Sequence, residues 1–179
     1  MKFKAILVLS CFSWFIANAQ DRIPVELNNT QFNINILAPS VTFEKSINDH
    51  QSFTAGVGIT VLGEFEEDQE AMSVNPFISG SYRNYYPRKR VKKDLKANSG
   101  NYIGILTGYR FNSIADNADN GLSERLENSY YLGPVWGIQR NYQSGIHLGL
   151  SLGGGFGIDS GSDIYFTGVG EFEFGFVIN

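Results

Sequence analysis

From Gly145 to Asn179 the chain alternates with a period of two. Ile146, Leu148, Leu150 and Leu152 alternate with His147, Gly149, Ser151 and Gly153. After Asp159-Ser160-Gly161-Ser162-Asp163, the residues Phe166, Phe172, Phe174, Phe176 and Ile178 alternate with Thr167, Glu171, Glu173, Gly175 and Val177. Extended backbone sends successive side chains to opposite sides, so this stretch predicts a hairpin with one greasy face and one small or polar face. What the greasy face touches decides what kind of object the chain is.

The same rhythm runs through the rest of the chain. Extended segments are predicted at Thr30 to Ala38, Val41 to Ile47, Ser52 to Gly63, Met72 to Tyr86, Gly100 to Asn112, Ser129 to Asn141, Ile146 to Ile158 and Ile164 to Ile178. Pro76 weakens the fourth, because proline cannot donate to a strand ladder. The connections read as Pro39-Ser40, Asn48 to Gln51, an acidic run from Glu64 to Glu70, a basic run from Pro87 to Ser99, a long polar stretch from Ser113 to Asn128 with room for one helical turn, Gln143 to Gly145, and Asp159 to Asp163. Eight strands joined by turns, with no amphipathic helix between them, predict an all-β, antiparallel up-and-down meander.

The first residues do not belong to it. Lys2 and Lys4, the apolar run from Ala5 to Ile16 and the small-x-small site Ala17-Asn18-Ala19 read as a secretory signal peptide over 1–19, with the barrel domain over 20–179. Cys11, within that run, offers a lipoprotein reading, against which only Ala5 to Ser10 would remain as the signal's hydrophobic core. No later segment approaches the ~20 apolar residues of a spanning helix. Formal charge is −4, and loss of Lys2 and Lys4 with the leader makes it −6, which gives no footprint for nucleic acid.

Eight strands with one apolar face fit a soluble barrel or an outer-membrane barrel, and the two have opposite polarity. In the third and seventh segments the second face holds Thr, Gly, Ser and His and no charge, so it reads as an interior. Within strands, the charges Glu44, Arg83, Arg110, Glu171 and Glu173 fall on this face. Slipping the last strand by one residue would turn two carboxylates outward, so Glu171 and Glu173 fix its register. Their structural reading is an internal network of opposite charges; their functional reading is an ion or substrate path. An eight-stranded interior is just wide enough to be filled by side chains, which favours the first. Aromatics gather at strand ends, with Tyr82, Tyr85, Tyr86, Tyr130, Tyr131, Trp136, Tyr142 and Phe172 to Phe176 as candidates for girdles at the headgroup level.

With its leader, its eight alternating segments, the opening Phe32-Asn33-Ile34-Asn35-Ile36-Leu37-Ala38-Pro39, the stretch Tyr82-Arg83-Asn84-Tyr85-Tyr86 and a Phe-rich last strand, the chain resembles the small outer-membrane β-barrel proteins of Gram-negative bacteria. The likeness is broadly to the OmpA and OmpX type and especially to small barrels of unknown function. It implies a transmembrane barrel in the cell outer membrane, a periplasmic amino terminus, contact with outer-membrane lipid and lipopolysaccharide, and delivery by the barrel insertion machinery. That machinery commonly reads a terminal aromatic residue, whereas this chain ends Phe176-Val177-Ile178-Asn179; either Phe176 serves or the machinery is less strict. By this topology Pro39-Ser40, Glu64 to Glu70, Ser113 to Asn128 and Asp159 to Asp163 face outward, with Ser113 to Asn128 open to an extracellular ligand. The basic turn, with Arg88, Lys89, Arg90, Lys92, Lys93 and Lys96, faces the periplasm, where it would meet lipid phosphates.

One constellation suggests catalysis. His50 and Ser52, with Glu64 downstream, resemble in outline the His-x-Ser and Glu arrangement of outer-membrane lipid A deacylases. Ser52 and Glu64 lie at opposite ends of one strand, roughly 40 Å apart at about 3.3 Å per residue, and a triad needs hydrogen-bond contact. Phe53 also stands where that family has Asn. His147 and Ser151 are about 13 Å apart along a strand, so His147 reads as an inner-face filler. Two separated histidines make no metal site, and the acidic groups Glu66, Glu67, Asp68 and Glu70, and Asp116 and Asp119, match no calcium-loop spacing. The expectation is therefore a monomeric outer-membrane barrel with a structural or surface-interaction role, no enzymatic activity and no cofactor. A lipid-modifying hydrolase and a narrow pore are the alternatives.

Overall fold

Alternation of large apolar with small or polar residues, repeated strand after strand, forces a sheet with two unlike faces. A computed structural model describes residues 24–66, 69–87, 94–116, 128–161 and 163–178. The leader with Cys11, the start at Gln20, the basic residues Arg88 to Lys93 and the stretch 117–127 with Asp119 lie outside the described residues. The strands are β1 (Thr30–Asn35), β2 (Ser40–Asn48), β3 (Gln51–Glu66), β4 (Gln69–Tyr86), β5 (Gly100–Arg110), β6 (Ser129–Asn141), β7 (Ile146–Asp159) and β8 (Ile164–Ile178). Each pairs antiparallel with the next, and β8 pairs back on β1 through Ile34 opposite Phe176. The result is a closed, all-β up-and-down barrel of eight strands, with no helix among the described residues.

Two expectations are corrected. The acidic run Glu64 to Glu70 is mostly strand, because β3 and β4 keep pairing through Glu64 opposite Ala71 to Glu66 opposite Gln69. Charge does not by itself end a ladder. In Ser113 to Asn128, the described part holds no helical turn: Ala115–Asp116 is a two-residue strand paired on Ser73 and Val74. Pro76 sits within β4, where it lacks a donor but its carbonyl accepts from the Phe111 amide at 2.9 Å.

Following opposite partners round the ring gives its stagger. Starting at Phe176, the path runs through Ile34, Val41, Val57, Ile78, Tyr109, Tyr130 and Ile158 and returns to β8 at Ile164, twelve residues from its start. A large stagger means steeply tilted strands and a wider lumen. Every residue on that path is apolar or Tyr and points outward. The outer wall is greasy, with Leu152 at 59 % exposure and Phe166 at 77 %, whereas Asn33, Glu44, Ser52, Asn75, Arg83, Gln139, Asn141 and His147 are fully buried inside. Tyr85 and Tyr131, expected in a girdle, belong to the interior instead. Tyr86, Tyr130 and Trp136 stay on the outer wall, where the Trp136 indole donates to the Tyr86 hydroxyl at 2.8 Å.

At the end holding the turns after β2, β4 and β6, the segment Pro24 to Asn29 crosses the mouth. Val25 packs inside against Tyr85 and Gly100. The left-handed Asn98 (φ 56°) anchors the segment: its amide donates to the Glu26 carbonyl at 2.7 Å and its Oδ1 accepts from the Asn28 amide at 2.6 Å. Inside, Gly137 makes room for the Tyr102 ring, which an added Cβ would overlap. Gly137→Val is therefore expected to cost about 1–3 kcal/mol of stability, as overpacking does, read as a lower urea midpoint of the refolded barrel.

Candidate functional site: the barrel interior

Parity along the strands brings one polar residue after another to a common interior. Arg83 of β4, 1 % exposed, lies at its centre. One Nη of its guanidinium donates to Gln139 Oε1 at 2.5 Å; the other faces Glu173 at 3.6 Å and Glu171 at 3.9 Å. Nε donates to Ser81 at 3.1 Å, and the cation rests over the Tyr102 ring at 4.8 Å. Gln139 relays to Glu44 of β2, donating through Nε2 at 2.8 Å. Ser52 and Tyr85 also donate to Glu44, at 2.6 and 2.9 Å.

On the opposite wall Glu173 accepts from the Thr42 hydroxyl at 2.9 Å and faces His147 Nε2 at 3.5 Å. The other ring nitrogen of His147 meets Asn141 Oδ1 at 2.7 Å, and Asn141 donates to Gln31 of β1 at 2.9 Å. Seven strands thus contribute to one hydrogen-bonded unit, and β5 adds the Tyr102 ring beneath the Arg83 cation. A buried charge is tolerated only when it is paired or well hydrogen-bonded: Arg83 and Glu173 are ion-paired, and Glu44 accepts from Ser52, Tyr85 and Gln139. The barrel is tied across its diameter as well as round its wall.

Glu44, Arg83, Glu171 and Glu173 are placed together by the fold. Arg110 is not in that knot. It lines a chamber of about 350 Å³ above it, with Ser79, Tyr131, Thr167, Glu171 and Glu173. Leu106, Val135 and Val169 are also buried in the interior, and Val169 lines the chamber. Lys96 of the basic run is half-buried, with its amide donating to the Asn141 carbonyl at 2.8 Å. His50 is on an exposed turn, while Ser52 is buried and spent on Glu44, so the fold does not bring them into one unit. Among the described residues no cluster of His, Cys, Asp and Glu suited to a metal is present.

The residues that sequence reasoning missed are Tyr85, Tyr102 and Gln139. Parity was the available signal: Tyr85 is two residues from Arg83 and therefore on its face. No family model matches the chain, and neither a curated protein nor a solved structure matches it.

Proposed function

We infer that this chain is an integral outer-membrane barrel of the OmpA and OmpX type, exported by its leader, with a structural or surface-interaction role. The observation that carries the reading is the inverted polarity: apolar side chains cover the outer wall while polar and charged ones fill the lumen. A soluble barrel of this kind would present that belt to water, whereas a membrane barrel presents it to lipid. Closure of the ring also suits a bilayer, since strands cross it only when their backbone groups are paired.

The filled layer around Arg83 supports a closed barrel over a narrow pore, and the burial of Ser52 beside Glu44, away from His50, supports a non-enzymatic role. The tall β3–β4 hairpin and the stretch Ser113 to Asn128, on the outer side in this reading, are where an extracellular ligand would be met. Outer-membrane lipid, lipopolysaccharide and the insertion machinery are the other partners, and the barrel works as a monomer. Expressed in a Gram-negative host, the protein is expected in the outer-membrane fraction and to migrate differently on gels before and after boiling. Recovery in the soluble periplasmic fraction with no mobility shift would overturn the reading.

A further inference from the structure

The wall of the barrel is incomplete on one side. β1 and β2 are short, so β8 pairs with β1 only up to Gly175 opposite Asn35, and β2 with β3 only up to Ser40 opposite Gly58. Above those points, among the described residues, the β8 edge from Ile164 to Glu173 and the β3 edge from Thr60 upward have no strand alongside. The chamber reaches into this notch, because its lining mixes the inward Thr42, Arg110 and Glu171 with the outward Leu37, Gly168 and Phe172.

The notch lies at apolar depth. Its lower lip is the β1–β2 turn, Ile36-Leu37-Ala38-Pro39, which is wholly apolar and has Leu37 at 65 % exposure. The turn after β7, Asp159 to Asp163, is polar, as expected at a water-facing rim. Resting on the membrane reading above, this places an opening between lumen and lipid. Unpaired strand edges survive at such depth only where they line a polar or water-filled space. The occupant must therefore hydrogen-bond on one side and be greasy on the other.

We propose that the chamber is a binding site for a single-chain anionic amphiphile, entered sideways through the notch, with its chain over Leu37 and Phe172 and its carboxylate or phosphate at Arg110. Glu171 and Glu173 also line the chamber, with their carboxylates facing Arg83 at 3.9 and 3.6 Å, so the anionic head belongs at the Arg110 end. Two sources share this chemistry, a free fatty acid and a lysophospholipid.

The full barrel in phosphatidylcholine vesicles, given palmitate or lysophosphatidic acid with a diazirine on the chain, tests the proposal. Photolabel is expected to concentrate on peptides bearing Leu37, Phe77 or Val169. Labelling by palmitate alone assigns the fatty acid as source, and by the phosphate probe the lysolipid; either upholds the site. Thr167→Trp fills the chamber from the β8 edge, where Thr167 lines it with the inward parity of Val169 and Glu171, and Ala38→Trp plugs it from the lip. Each is expected to lower that label about tenfold, and should one variant not insert, the other carries the test. Arg110→Gln is expected to lower labelling by both anionic probes and leave a neutral monoacylglycerol probe unchanged. Label spread evenly over Phe53, Ile105 and Leu152, or unchanged in an inserted, plugged variant, would sink the proposal. Failure of the wild-type chain to enter vesicles or to shift on gels would instead count against the membrane reading.

Discussion

Leu152→Arg is expected to lose the folded, membrane-inserted form. Leu152 stands on the outer wall of β7 opposite Gly170, exposed and surrounded by other outward apolar side chains. An arginine facing lipid near the midplane costs about 2–4 kcal/mol, a large part of the stability of a small domain. The same change on a water-exposed surface is nearly neutral. Urea titration of the refolded barrel in vesicles, followed by Trp136 fluorescence, measures it. A change below about 0.5 kcal/mol would mean that this wall faces water.

Arg83→Met carries the second large effect. It leaves the buried Glu173 and half-buried Glu171 without the cation that faces both, and leaves Gln139 Oε1 without its donor. Breaking a buried pair from one side costs about 3–5 kcal/mol, so the urea midpoint should fall steeply. Adding Glu171→Gln and Glu173→Gln is expected to restore much of the loss, because the uncompensated charge goes with them. Loss without any rescue would assign Arg83's contribution to packing on Tyr102 instead of charge balance.

Much of this interior was legible before any fold was known, because strand geometry converts position into face. Glu44, Arg83, Glu171 and Glu173 share a parity with the small residues of their strands, and they share the lumen. Residue type alone misplaces Tyr85, because tyrosine is common at membrane interfaces, whereas its parity with Arg83 puts it inside. The β3–β4 hairpin is longer than its sequence suggests for a similar reason: acidic residues read as a loop, yet the ladder continues through them. The separation of Arg110 from the central knot was not legible, since parity fixes the face of a strand and says nothing of height along it.

By itself the sequence determined that eight strands alternate and which side chains share a face, because the two-residue period of extended backbone is local. Only the tertiary structure decided how the strands are staggered and which inner residues meet. Ring closure fixes the stagger through all eight pairings together. That stagger sets Arg83 between Gln139 and Glu173, and leaves the short β1–β2 hairpin below its neighbours, with the chamber open beside it.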